Sequence, residues 1–305
     1  MTEATVIDII KQLEEKLELR YPDPTLRRQT AWWMLEAISK IDKAHLIAQE
    51  RISLSEQQQK ALDNWIHLQI HQHMPLQYLL GSVPFDALEI LVEPPILIPR
   101  PETEEWCMHI IHQLQKLNTQ ELTILDLCSG TGCIALALGH AFPQATIYAL
   151  DISAQAITLG RKNAQHNAIT NVTFIESDLF SMAPSSLQFD LIVTNPPYIP
   201  NEQWQELDLS VTKWEDPGAL IADDHGLAII KQIITQAPRY LKSTSPLHEK
   251  NIPQFVMEID SPQAPVVSQL MHNAGFTHIV IKKDLEAKDR IVVGSKKNEV
   301  HSENR

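Results

Sequence analysis

From residue 122 onward the chain repeatedly switches its apolar period, and this limits its possible folds more than any other feature. Seven short apolar runs stand out: LTILDLC (122–128), ATIYALD (145–151), VTFIES (172–177), FDLIVTN (189–195), QFVMEID (254–260), THIVIKK (277–283) and RIVVGS (290–295). Between most of them lie stretches with helical spacing, over 133–141, 153–167, 226–241 and 264–274. Alternating strands and helices bury their apolar faces by forming a mostly parallel sheet covered by helices on both sides, an α/β fold. Only DLEAKD separates the last two runs. That is too short for a parallel crossover, so these two strands are expected to pair antiparallel.

The chain before this region has a different texture. Residues 3–74 read as helices only. VIDIIKQLEEKL places Ile9, Ile10, Leu13 and Leu17 on one helical face. DPTLRRQTAWWMLEAIS opens with Asp23 as a cap and Pro24 at the first helical position. SLSEQQQKALDNWIHLQIHQH carries Ser53-x-x-Glu56, the pattern of a capping box. Residues 75–101 hold short apolar runs broken by Gly81, Pro84 and Pro94-Pro95, which predicts a β-hairpin or extended linker. A further helix is expected over 102–117. The expected domains are therefore a helical one (1–74), a hairpin linker (75–101), an α/β domain (102–295) and a disordered tail (296–305).

Charge narrows the function classes. The chain has 25 basic and 38 acidic residues, and 16 of the basic and 27 of the acidic ones lie in residues 85–305. A surface this acidic argues against broad contact with a phosphate backbone, so no direct nucleic-acid binding is expected. No window approaches the roughly eighteen apolar residues of a membrane span, and the acid-bearing N-terminus does not read as a signal peptide. Three cysteines (Cys107, Cys128 and Cys133) without zinc-type spacing suit a reducing, cytoplasmic setting. His67, His71 and His73 read as a solvated helix end, so no metal site is expected.

The candidate site lies at one edge of the predicted sheet. The first strand runs into DLCSGTG, placing Asp126, Cys128, Ser129, Gly130, Thr131 and Gly132 where strand turns to helix. Glycines there let backbone N–H groups approach a ligand at the helix N-terminus. The second strand ends at Asp151, nineteen residues after Gly132. A carboxylate at that place can accept both hydroxyls of a ribose, although it could also cap the next helix, a role open to Ser153. The third strand ends before Asp178 and Leu179. Three strands ending in polar residues at one edge outline a site for a nucleoside.

A nicotinamide dinucleotide is the default ligand of such a turn, but Ala135 holds the position of the third glycine. The fourth strand ends in Asn195-Pro196-Pro197-Tyr198, which resembles the signature of S-adenosylmethionine-dependent methyltransferases acting on the nitrogen of planar amides or amines. The lone pair of an amide nitrogen is delocalised, so it attacks a methyl donor poorly. Two acceptors gripping its N–H groups would orient it and stabilise the developing charge. Asn195 offers a side-chain oxygen, and Pro196 a carbonyl whose direction Pro197 helps to stiffen. Tyr198 offers a flat face on which an amide can stack.

Several ordered, widely spaced segments resemble the HemK/PrmC family, the protein-(glutamine-N5) methyltransferases of peptide chain release factors. They are PLQYLLGSVPF, LIPRPETE (Leu97–Glu104), NPPYIP, EID with Gln263, and DLEAKDRIVVG. The resemblance implies a Rossmann-like class I methyltransferase sheet, a small all-helical N-terminal substrate-recognition domain and a connecting hairpin. It implies S-adenosylmethionine as cofactor, held by Cys128–Gly132, Asp151, Asp178, Leu179 and Asn195. It also implies a release-factor glutamine held by Asn195–Tyr198, and so a cytoplasmic enzyme of translation termination. The chain departs from the family at Cys128, where a glycine is usual, and at Ala222-Asp223, which replaces a glycine pair. Two other substrates stay open, a glutamine of a large-subunit ribosomal protein and an adenine N6 of nucleic acid. A non-catalytic binding module is the remaining reading.

Overall fold

The structure, a computed structural model, describes residues 4–117, 119, 121–184 and 186–297. Two compact units divide the chain. One joins Met1–Gly81 to Asp208–Trp214, and the other joins Ser82–Leu207 to Glu215–Arg305.

In the first unit, strand β1 (Ala4–Thr5) leads into helices α1 (Val6–Leu17), α2 (Pro24–Ser39) and α3 (Lys43–Gln49). Strand β2 (Arg51–Ile52) then precedes α4 (Glu56–His71) and α5 (Leu76–Leu80). The apolar stripe Val6, Ile10, Leu13 and Leu17 is buried against Trp32, Met34 and Leu35 of α2 and Leu62 and Ile66 of α4. Asp23 caps α2 ahead of Pro24, as its sequence predicts.

Three local expectations change. A capping box does open α4, but it is formed by Ser55 and Gln58 rather than Ser53 and Glu56, because the helix starts at Glu56. The region is not purely helical, since β1 and β2 form a two-residue antiparallel ladder too short to show a period in sequence. The segment from Pro75 begins with α5 before turning extended. The single turn Leu209–Thr212 also belongs to this unit. Its flanks are fixed by a two-pronged Arg20–Asp208 ion pair at 3.0 and 3.3 Å, and by the Trp214 indole N–H donating to the Gln72 carbonyl at 2.8 Å.

The second unit opens with a hairpin of β3 (Ser82–Phe85) and β4 (Leu88–Leu91), followed by α6 (Pro101–Leu114). Then come β5 (Thr123–Leu127), α7 (Cys133–Ala141), β6 (Thr146–Asp151), α8 (Ala154–His166), β7 (Val172–Glu176) and β8 (Leu191–Thr194). The short strands β9 (Ile199–Pro200) and β10 (Ile221–Ala222) pair in parallel. The unit ends with α9 (Ala228–Tyr240), β11 (Phe255–Glu258), α10 (Ala264–Asn273), β12 (Phe276–Lys283) and β13 (Asp289–Lys296).

All seven predicted strands enter one sheet, in the order β12-β13-β11-β8-β5-β6-β7. The pairs from β11 to β7 are parallel, whereas β13 runs antiparallel to both β11 and β12. One face buries Leu125, Leu127, Ile192, Phe255 and Met257 against α9 and α10. The opposite face meets α6 and α7: Asp126 bonds into α7, and Glu258 bonds to Thr103 and Trp106 of α6. Because β5 lies between β6 and β8, the order reverses there, and a crevice opens beyond the carboxyl ends of those strands. Strand β13 continues through Lys296, into the stretch expected as tail. Residues 298–305 of that tail lie outside the described residues.

Candidate active site

At the end of β6 the two oxygens of Asp151 each accept one backbone N–H, from Gly130 at 2.7 Å and from Ser153 at 2.9 Å. Each oxygen keeps a lone-pair direction for a ligand. The carboxylate lines a cavity of about 220 Å³ together with Cys128, Gly130, Asp178, Leu179, Asn195 and Pro197. Burial raises the Asp151 carboxyl above its ordinary pKa, and the Ser153 and Gly130 N–H groups draw it back down. Ser153 is the cap of α8, its hydroxyl accepting the Ala156 N–H at 3.2 Å. Asp151 is thereby spared that duty.

The loop that carries Gly130 depends on left-handed backbone. Gly132 has φ +81°, and a Cβ there would stand 2.7 Å from Phe174 Cε1. Cys128, where the family usually has glycine, adopts φ +58°, a left-handed conformation that costs an L side chain some strain. Burial pushes the Cys128 thiol far up, so it remains protonated.

Several predicted residues do not line the cavity. Asp126 is fully buried. One of its oxygens accepts the Ala135 N–H at 3.1 Å, the other has no partner among the described residues, and burial raises its carboxyl strongly. It fastens the first turn of α7 beneath the loop. Ser129 donates its N–H to the Leu150 carbonyl at 3.1 Å, and its buried hydroxyl has no partner among the described residues. The Thr131 carbonyl accepts from Asn163 Nδ2 at 3.0 Å, and Asn163 Oδ1 accepts the Leu91 N–H at 2.7 Å. Asn163 so ties the loop to the hairpin.

The Asn-Pro-Pro-Tyr turn leaves β8 beside this cavity. Asn195 Nδ2 lies 3.1 Å from Thr103 Oγ1, which lies 2.7 Å from Glu258 Oε2. The Trp106 indole N–H reaches the same Glu258 oxygen at 2.8 Å, and the Tyr198 hydroxyl donates to Oε1 at 3.2 Å. Burial raises the Glu258 carboxyl, while these three donors and Arg290 oppose the shift. The Tyr198 carbonyl accepts from Gln263 Nε2 at 2.8 Å, and the Tyr198 and Ile199 N–H groups share the Leu220 carbonyl. Among the described residues, neither Asn195 Oδ1 nor the Pro196 carbonyl accepts a hydrogen bond. Asn195 and Pro197 of the turn line the cavity, while the Tyr198 ring packs against the core of the sheet.

Residues not assigned to the site from the sequence brace it. Glu215 is buried, pairs with Arg100 and accepts the Ile98 N–H at 3.3 Å, joining the segment before α6 to the one before β10. Asp224, His225 and Gly226 all have positive φ, at 58°, 55° and 81°. This tight reversal follows the altered Ala222-Asp223 pair, and a Cβ on Gly226 would stand 2.0 Å from the Tyr198 carbonyl oxygen. Thr103, Glu258 and Gln263 fall within the family-like segments of the sequence, but nothing there marks them, or Glu215 and Gly226, as partners. The one visible signal is an acid, Glu258, at the end of an apolar strand.

Comparison with known proteins places this geometry. Residues 8–81 match the PrmC N-terminal domain, and residues 85–211 the methyltransferase small domain. The release factor glutamine methyltransferase of Lactococcus lactis subsp. lactis is 33% identical over 287 residues, covering 94% of this chain and 98% of its own. The chain belongs to the release factor glutamine methyltransferase family. Another member, from Flavobacterium psychrophilum, is 32% identical over 263 residues, covering 85% of this chain and 88% of its own. The hMettl16 catalytic domain, solved in complex with a 3'UTR hairpin, superposes with a TM-score of 0.53 at 15% identity, over 83% of this chain and 87% of that one. This last likeness concerns the fold alone.

As a member of this family the protein is a methyltransferase with S-adenosylmethionine as methyl donor. The site suits that molecule in one respect: the Asp151 carboxylate keeps a lone-pair direction on each oxygen at the cavity beside the Gly130 loop. Among the described residues no helix is long and apolar enough to cross a membrane, and no three His, Cys, Asp or Glu side chains stand together as metal ligands.

Proposed function

We propose that this protein methylates the side-chain amide nitrogen (N5) of the glutamine in the glycine-glycine-glutamine motif of peptide chain release factors. When bound, S-adenosylmethionine supplies a methyl group already activated by its sulfonium. Asp151 accepts the ribose hydroxyls, and the Asp178–Leu179 pair meets the base. Asn195 Oδ1 and the Pro196 carbonyl take one N–H each of the glutamine amide and turn its nitrogen toward the methyl. The N–C bond would form as the methyl–sulfur bond breaks, one N–H proton would then pass to solvent, and Asn195 Oδ1 and the Pro196 carbonyl would disperse the positive charge growing on the nitrogen. Tyr198, with its hydroxyl on Glu258, steadies the turn that carries both acceptors. We assign recognition of the release factor to the helical unit.

One observation supports this reading above the rest. Two acceptors, Asn195 Oδ1 and the Pro196 carbonyl, are left unused at a rigid turn whose Asn195 shares a cavity with Asp151. The test is mass spectrometry of a release factor after incubation with enzyme and S-adenosylmethionine. The glutamine of the tripeptide is expected to gain one methyl group. Asn195→Ala should lose nearly all turnover, and a release factor with glutamate in place of that glutamine should stay unmodified. Robust turnover by Asn195→Ala would dismiss the amide clamp.

A further inference from the structure

The Asn195 amide can present either its oxygen or its NH2 group to a ligand, and a half-turn about its last bond exchanges them. Only the oxygen suits the N–H of a primary amide. We infer that Thr103 is the positioning residue that fixes this choice, acting through Glu258. The inference rests on the amide reading of the site given above.

Donor counting sets the order of the chain. Trp106 Nε1 can only donate, so Glu258 Oε2, at 2.8 Å, must accept. With Glu258 as the carboxylate, the form that its three donors and Arg290 favour, the Thr103 hydroxyl at 2.7 Å spends its single hydrogen on that same oxygen. Only lone pairs remain on Thr103 Oγ1. Asn195, at 3.1 Å, must therefore turn Nδ2 toward it. Oδ1 is left for the cavity that Asn195 lines. Thr103, Trp106 and Glu258 are 3%, 2% and 2% exposed, so water does not compete for these bonds. The Glu258 carboxylate thus makes Thr103 the donor, and Thr103 in turn decides which end of Asn195 meets the substrate.

This device favours glutamine over glutamate. With Asn195 free to rotate, its NH2 group could meet a carboxylate oxygen, and the preference would shrink. A general loosening of the site would instead weaken both substrates together. The experiment uses the full-length enzyme and intact release factor carrying either glutamine or glutamate in the tripeptide. Turnover is measured on the first and competitive inhibition by the second, with S-adenosylmethionine affinity as the check on folding.

Thr103→Val and Thr103→Ala should each lower kcat about tenfold and cut the preference for glutamine over glutamate by about tenfold, the scale of one directional hydrogen bond. Cofactor affinity should be unchanged, and Thr103→Ser should restore both properties. Glu258→Gln should keep the preference, because its oxygen can serve Trp106 and Thr103 while its NH2 group donates to the Tyr198 hydroxyl. If the alanine or valine variant binds cofactor and keeps the wild-type preference, Thr103 does not set the orientation. If the wild-type enzyme leaves the glutamine form unmethylated, the functional reading fails and takes this inference with it.

Discussion

At Asp151, folding and ligand binding act on the same carboxylate in opposite directions. Burial disfavours its charge, whereas two backbone N–H groups favour it, as would the ribose proposed to bind there. Asp151→Ala should weaken S-adenosylmethionine binding by about tenfold or more, since a hydrogen bond to a charged group is worth roughly 1.5–3 kcal/mol. The pH dependence follows from the raised pKa. Above that pKa the charged form carries a cost to the fold, which is relieved as the pH falls through it and the carboxyl takes up a proton. The same proton removes acceptor capacity, so cofactor affinity should fall as the solution is acidified through this window. Calorimetry across pH, showing equal affinity throughout, would rule out Asp151 as the ribose acceptor. The sequence made Asp151 and Asn195 visible because each ends a strand at the same sheet edge. Thr103 and Glu258 were not visible as partners, since their bond spans 155 positions and depends on how α6 meets β11.

Among the elements, the Asn-Pro-Pro-Tyr turn and the reversal at 224–226 are shaped to each other. A methyl group on residue 226 has no room, because the Tyr198 carbonyl occupies its place. Gly226→Ala should therefore displace the turn. Methylation should fall at least about tenfold, as misplacement by an ångström commonly does. Cofactor binding, assigned chiefly to Asp151 and the Gly130 loop, should persist. Full activity in this variant would mean that the turn tolerates movement. The seven sheet strands and the four long helices between them could be read from sequence because each run spans enough residues to show its period. Short features could not be read in this way. Neither the two-residue ladder of β1 and β2 nor α5 covers a full repeat, and the capping box of α4 moved two positions because it follows the helix start.

For the molecule as a whole, the helical unit carries the assigned recognition of the release factor. On α2, Leu26 and Trp33 lie seven residues apart on one helix face and remain 44% and 41% exposed, while the neighbouring Trp32 is buried. Replacing Leu26 and Trp33 together with serine should raise KM for intact release factor and leave KM for a short glycine-glycine-glutamine peptide unchanged. An equal change for both substrates would place recognition elsewhere. This unit is also not contiguous in sequence. The chain passes between units after Gly81, after Leu207 and again after Trp214. A single crossover that exchanged residues 1–81 between two relatives would leave Asp208 without Arg20, and the Trp214 indole without the Gln72 carbonyl. Exchange at the Gly81 boundary alone would part these pairs, whereas exchange that also carries residues 208–214 would keep them together.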